Sequence, residues 1–184
     1  CDMARQVLGV VPQAAPIGNR TGKGQVVAVF DSGIDSEHPD FAERIRYQGA
    51  IKNAIATDTV GHGTHVAGII AGTGVASSGK IRGVAPDAEL VCIGVCDANG
   101  SMQLPVDLGA MLEQAVDKGA RIINLSWGYK LRPEYDQNAN QIDAFVHRHP
   151  NVLVVIAACN EGVAVNGLHS FLTLGSPAAA KNVV

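Results

Sequence analysis

Residues 27–35 read Val-Ala-Val-Phe-Asp-Ser-Gly-Ile-Asp. The apolar residues on both faces predict a buried parallel strand that begins at residue 25 and ends at Asp31. Ligands of open α/β sheets bind beyond the carboxyl ends of such strands. Asp31 is therefore a candidate for chemistry, although an Asp that follows a strand is more often a turn residue or a helix cap.

Three further apolar runs predict strands of the same kind, at residues 89–95, 121–126 and 151–158. Apolar side chains recur at helical spacing in residues 106–118 and 136–149, which predicts a helix between each pair of these later strands. This alternation indicates an α/β fold with a three-layer arrangement, in which helices flank a parallel sheet. No internal repeat and no linker interrupts residues 1–184, which favours a single domain.

Composition excludes several classes of protein. The chain is 47% hydrophobic and carries a net charge of −3, so we expect neither disorder nor a nucleic-acid partner. The longest apolar run, residues 152–159, is too short for a membrane span. Cys92 and Cys96 lie four residues apart on one predicted strand, or ~13 Å, which is too far for a disulfide. We expect both to be buried free thiols.

Residues 61–72 read Gly-His-Gly-Thr-His-Val-Ala-Gly-Ile-Ile-Ala-Gly, which predicts a tightly packed helix of small residues. The imidazole of His62 suits a general base near neutral pH, and a buried Asp that accepts a hydrogen bond from Nδ1 would set its tautomer. A zinc site at His62 and His65 is the alternative. It is disfavoured because no Glu lies between them and no third ligand follows.

Two of these motifs resemble a known family. Residues 31–41, Asp-Ser-Gly-Ile-Asp-Ser-Glu-His-Pro-Asp-Phe, and residues 61–68, Gly-His-Gly-Thr-His-Val-Ala-Gly, resemble the Asp and His motifs of the subtilases. The resemblance continues from Thr21 to Val184. It implies a subtilisin-like fold and a serine endopeptidase that hydrolyses peptide or protein substrates. Residues 1–184 would form the N-terminal part of a single peptidase domain.

The resemblance also implies roles for individual residues. Asp31 would orient His62, His62 would act first as general base and then as general acid, and the Asn160 side chain would donate to the oxyanion. The remaining positions would bind substrate: Gly100, Ser101, Met102, Ser126, Trp127, Gly128, Ala158, Cys159 and Gly175.

The motif that carries the family's nucleophilic Ser, of the type Gly-Thr-Ser-Met-Ala, does not occur in these residues. Val183 and Val184 resemble the beginning of another strand. We therefore expect a domain truncated before the nucleophile segment, inactive alone, with the Ser supplied by the C-terminal remainder of the same domain. A pseudoprotease or peptide-binding module with this fold is the alternative. The presence of Asp31, His62 and Asn160 together favours the enzyme.

Two further departures from the family pattern affect specificity and metal binding. Cys159 stands where the family usually has Gly, so its sulfur would narrow the substrate slot unless it points into the sheet. The segment 73–82 lacks the Asn-rich sequence with which many relatives bind calcium. Asp40 is the only candidate ligand, and one carboxylate makes a poor calcium site. No cofactor is expected to be required.

Overall fold

The computed structural model describes residues 7, 20–128, 134–160, 164–165, 168–169 and 174–184 of the chain. These residues belong to two compact units, Cys1–Gln103 and Leu104–Val184. Each unit combines parallel strands with helices, as the sequence predicts.

The first unit is built on three parallel strands. Strand β1 spans Val26–Asp31, β2 spans Ile45–Ala50 and β3 spans Glu89–Gly94, in the spatial order β2-β3-β1. Every residue of β1 is buried, because the strand carries Val, Ala and Phe on both of its faces. Asp31 pairs with Gly94 in register, so both strands end at the same edge.

An α-helix also belongs to the described part of this unit. Helix α1 spans His62–Ala71 and contacts β1. Its buried positions are Gly63, Ala67 and Ala71, which are small enough to let the helix lie close to the strand. His62 therefore stands at the first position of a helix whose amino end lies beside the carboxyl end of β1.

The described residues of the second unit include two parallel strands and two helices. Strand β4 spans Ile122–Leu125 and β5 spans Leu153–Ile156. Helix α2 spans Leu108–Asp117 and α3 spans Gln137–Arg148. An Asp side chain caps each helix by accepting from a backbone N–H three residues later. The fully buried core side chains include Leu108, Met111, Leu112, Ile123, Leu125, Ile142 and Phe145.

Most of the predicted elements are confirmed. The four predicted strands correspond to β1, β3, β4 and β5, and the three predicted helices to α1, α2 and α3. Val184 exchanges two backbone hydrogen bonds with Val154 and Ile156 of β5, as a neighbouring parallel strand would. The predicted loop 161–176 lies partly outside the described residues, and the short antiparallel pair β6, Ala164–Val165, and β7, Leu168–His169, falls within it.

The structure also bears on the two cysteines of the first unit and on helices that could span a membrane. Cys92 and Cys96 are buried free thiols, and burial raises the pKa of Cys92 to about 12. In the described parts of the chain, no helix has the length and apolar character that crossing a membrane requires.

Candidate active site

Asp31 and His62 form a hydrogen-bonded pair at the carboxyl end of β1. His62 Nδ1 lies 2.7 Å from Asp31 Oδ1. The Asp31 side chain is only 5% exposed, whereas the His62 side chain is 54% exposed. The same Asp31 oxygen accepts the backbone N–H of Ser32 at 2.7 Å. A buried carboxylate thus holds one ring nitrogen of His62, while the His62 side chain as a whole remains open to solvent.

Glycines allow the helix to come this close to the strand. A Cβ at Gly63 would lie 2.2 Å from the Gly33 carbonyl oxygen and 3.1 Å from Asp31 Cβ. Such distances leave no room for any side chain at this position. Gly63 is therefore required for the approach of α1 to the end of β1, which brings the imidazole within reach of Asp31.

Asp58 is a second acidic residue at this site, and the sequence analysis missed it. Its Oδ1 accepts from Ser32 Oγ at 2.8 Å, from Val60 N at 3.0 Å and from Gly61 N at 2.7 Å. Its Oδ2 accepts from Thr64 N at 2.8 Å and from Thr64 Oγ1 at 2.6 Å. An Asp just before a helix is a common capping signal, and this signal could have identified it.

The hydrogen bonds control the ionisation of Asp58. Burial by itself would raise the pKa of Asp58, but the hydrogen bonds from Thr64, Gly61 and Ser32 outweigh it and lower the pKa from 3.8 to about 2. A carboxyl whose pKa is lower in the folded state stabilises the fold above its unfolded pKa, and this contribution is lost as the pH falls. The relevant interval runs from 3.8 down to about 2.

We therefore predict that acidification through this interval selectively loosens the start of α1. Thermal unfolding of the wild type and of Asp58→Asn should differ at neutral pH, and the difference should shrink as the pH approaches 2. The measurement is the melting temperature of both proteins across a pH series. A difference that stays constant down to the lowest pH would contradict the assignment of the hydrogen bonds to the carboxylate.

The second unit brings most of the predicted substrate-binding residues together. Residues 126–128 follow β4 and residues 157–159 follow β5, and Ala157 N donates to Leu125 O at 3.0 Å. A Cβ at Gly128 would lie 2.6 Å from Cys159 Sγ and 3.1 Å from the Ser176 carbonyl oxygen. Gly175 N donates to Ala158 O at 3.5 Å. The sulfur of Cys159 therefore points across towards Gly128.

Cys159 adopts an unusual backbone conformation for a residue with a side chain. Its φ angle is +73°, in the left-handed region that Gly occupies most easily. Asn160 follows directly, at an exposed position at the end of the segment after β5.

The segment after β4 contains two further predicted substrate-binding residues. Ser126 Oγ accepts from Asn124 Nδ2 at 2.8 Å, and Trp127 is buried.

The remaining predicted substrate-binding residues, Gly100, Ser101 and Met102, form an exposed turn in the first unit. Asp97 Oδ1 accepts the backbone N–H of Ser101 at 3.0 Å, and Gly100 has a φ angle of +80°. Met102 pairs with Cys96 as an isolated antiparallel bridge. The turn thus ends in extended backbone at the surface.

Both carboxylate oxygens of Asp40, the candidate calcium ligand, accept backbone N–H groups. Its Oδ1 accepts the backbone N–H of Ala76 at 2.9 Å, and its Oδ2 accepts that of Gly74 at 3.1 Å. The Arg44 guanidinium donates to the Asp40 carbonyl. The carboxylate therefore faces N–H donors, whereas calcium binds six to eight oxygen ligands. In the described residues, no three His, Cys, Asp or Glu side chains are grouped to hold a metal ion.

Comparisons with known proteins show which sequences this chain resembles. A model of the subtilase family matches residues 22–184. The chain is 36% identical over 171 residues to the major intracellular serine protease of Bacillus subtilis, a match that covers 89% of the chain and 50% of the relative. It is 33% identical over 166 residues to the thermophilic serine proteinase of Bacillus sp. strain AK1, a match that covers 88% of the chain and 37% of the relative.

A much larger protein also contains a region that is similar to this chain. The serine protease/ABC transporter B family protein tagB of Dictyostelium discoideum is 30% identical over 184 residues, a match that covers 89% of the chain and 9% of that protein. The chain thus spans at most half the length of these relatives.

Proposed function

The chain belongs to the subtilase family, and from this premise we propose that it supplies the Asp and His of a serine endopeptidase. The observation that carries the proposal is the hydrogen bond of 2.7 Å between His62 Nδ1 and the buried Asp31 carboxylate. The other nitrogen, Nε2, makes no hydrogen bond within the described residues. It is therefore available to a nucleophile.

In the proposed reaction, His62 moves the protons. Its Nε2 accepts the proton of a Ser hydroxyl as the Ser oxygen bonds to the peptide carbonyl carbon. The imidazolium then donates that proton to the leaving amine as the C–N bond breaks. Asp31 accepts the Nδ1–H throughout, which sets the tautomer of the ring and stabilises its charged form. Water repeats the sequence on the acyl-enzyme and releases the acid.

Asn160 and the nucleophile complete the proposal. The Asn160 amide would donate to the negative oxygen of the tetrahedral intermediate, because a donor placed where charge develops lowers the barrier. The Ser would come from a segment of the same domain beyond residue 184, since the family's Ser motif does not occur in the sequence. The partners are thus a peptide or protein substrate and the C-terminal remainder of the domain.

The test compares the 184-residue chain with the same chain extended through its Ser motif. The extended protein should hydrolyse a chromogenic peptide and react with a fluorophosphonate, which labels activated Ser residues. The shorter chain should do neither. The extended His62→Ala protein controls for contaminating proteases. Labelling of the pure shorter chain, or an extended protein that binds peptides without cleaving them, would contradict the proposal.

Cys159 provides a prediction about specificity. Its Sγ lies against Gly128, between the segments that follow β4 and β5. We propose that these segments form the slot for the side chain on the acyl side of the cleaved bond. The complete enzyme should then prefer small or medium side chains there, and Cys159→Gly should shift its preference towards Phe and Leu. A volume change of this size is worth about 10- to 200-fold in discrimination.

The measurement is kcat/KM for a series of peptides from Ala to Phe at that position, on both enzymes. Cys92→Ala is a suitable control, because it removes a buried thiol from the middle of β3 in the other unit. Ratios that agree within about twofold between wild type and Cys159→Gly would show that the sulfur does not limit the slot, since a limiting methylene is worth about tenfold or more.

We further propose that Asp40 holds the loop 73–82 without calcium and that no cofactor is required. The melting temperature should be unchanged by a chelator or by added calcium. Asp40→Asn should lower the stability by about 1–3 kcal/mol, because it replaces a carboxylate that accepts two N–H groups. Asp35→Asn, at an exposed acidic turn residue, is the matched control. A calcium-dependent rise in melting temperature that Asp40→Asn abolishes would refute this proposal.

A further inference from the structure

Helix α1 has no capping side chain at its N-cap position. Its N-cap residue is Gly61, which has no side chain to accept the first N–H groups of the helix. Unsatisfied N–H groups at a helix start are normally capped by a side-chain oxygen at this position. Here the partners come from elsewhere: Thr64 N donates to Asp58 Oδ2 at 2.8 Å, and Gly63 N donates to Ser32 Oγ at 2.9 Å.

The two capping residues are themselves joined. Ser32 Oγ donates to Asp58 Oδ1 at 2.8 Å, although the two residues lie 26 positions apart in sequence. Ser32 directly follows Asp31, and its backbone N–H donates to the Asp31 carboxylate at 2.7 Å. A continuous set of hydrogen bonds therefore connects the carboxylate that faces His62 with the helix that carries His62. We call Asp58, Ser32 and Thr64 the Asp58 clamp.

His62 depends on its backbone for orientation. Its side chain is 54% exposed, and its only hydrogen bond to a described residue is the one to Asp31. It also stands between two glycines, which have the most conformational freedom of all residues. Both of these glycines are held: Gly61 N donates to Asp58 Oδ1 at 2.7 Å, and Gly63 N donates to Ser32 Oγ.

We propose that Asp58 is a positioning residue for catalysis, which holds the backbone on both sides of His62 so that its imidazole faces Asp31. The inference rests on the proposed protease function for its kinetic test. The hydrogen bonds of the Asp58 side chain within the described residues go to neither Asp31 nor His62, and Asp58 acts through Ser32, Gly61 and Thr64. Its ionised form is the one that accepts all five hydrogen bonds.

The test is Asp58→Asn in the complete protease. An amide of the same shape keeps one oxygen but places an NH₂ group against N–H or O–H donors. We expect kcat to fall by about 10- to 100-fold, the size of effect that a small misplacement of a catalytic group produces. KM should change little, because no substrate contact is removed. The far-downfield proton resonance of His62 Nδ1–H should weaken or disappear.

Two further variants make the test decisive. Thr64→Val removes only one hydroxyl from the clamp and replaces Asp58→Asn in the test if that variant does not fold. We expect Thr64→Val to cause a smaller loss of kcat and the same weakening of the His62 resonance. Asp107→Asn is the matched control, because Asp107 caps α2 through Ala110 N at 3.0 Å and that helix carries no proposed catalytic residue. It should keep the kcat of the wild type.

The outcomes distinguish a positioning role of Asp58 from a general effect on stability and from a failure of the proposed protease function. A kcat within twofold of the wild type together with an intact resonance would overturn the proposal. An equal loss of kcat in Asp107→Asn would overturn it as well, since the effect would then belong to helix capping in general. If the complete protein cleaves no peptide, the protease proposal fails, while the His62 resonance in the Asp58 and Thr64 variants still tests the clamp.

Discussion

His62→Ala in the complete protease should lower kcat by roughly 10⁴- to 10⁶-fold, the range expected when a member of a subtilisin-type triad is removed. Without the imidazole, no group accepts the proton of the nucleophile, and Asp31 has no partner to orient. KM should change little, because His62 acts on the reacting atoms. The measurement is kcat and KM for a chromogenic peptide, with active-site titration to count intact enzyme.

His65→Ala is the matched control for this experiment. His65 lies on the same helix, one turn further along, and is exposed on the described surface. Its loss should leave kcat within a few-fold of the wild type. The assignment would be reversed if His65→Ala abolished turnover and His62→Ala did not.

Asn160→Ala should lower kcat by roughly 10²- to 10³-fold, again with little change in KM. The amide would donate to an oxygen that becomes negative only in the transition state, so its loss raises the barrier without weakening substrate binding. Stopped-flow or steady-state assays of the complete enzyme provide the measurement.

Asn151→Ala is the control for Asn160→Ala, because Asn151 is an exposed Asn that precedes β5 rather than following it. It should behave as the wild type. A reduction confined to KM in Asn160→Ala would instead indicate a residue that binds the ground state of the substrate.

Strongly patterned segments were the most predictable part of this fold. Strands β1 and β3 are apolar on both faces, and helices α2 and α3 repeat apolar residues at helical spacing. These patterns depend only on local sequence, because burial of a strand or of a helix face requires them.

Strand β2 was not predicted, and its sequence explains why. Ile45–Ala50 contains Arg46 and Gln48 and is only partly buried. Nothing in this pattern distinguishes it from a loop. It becomes a strand because β3 presents an edge of unpaired N–H and C=O groups, and parallel pairing with residues 90–94 satisfies them.

The sequence by itself identified Asp31 and His62 as candidates, since each lies in a specific motif, and it predicted the chemistry of the pair. It did not determine what holds them. Asp58 carries a local capping signal, but its bond to Ser32, 26 positions away in sequence, exists only because folding brings the two residues together. The sequence also did not determine the direction of the Cys159 sulfur, because that direction depends on the backbone, and the φ angle at Cys159 is positive. Local patterns encode burial and motif chemistry, whereas contacts between distant residues and the orientation of one side chain depend on the packing of the whole chain.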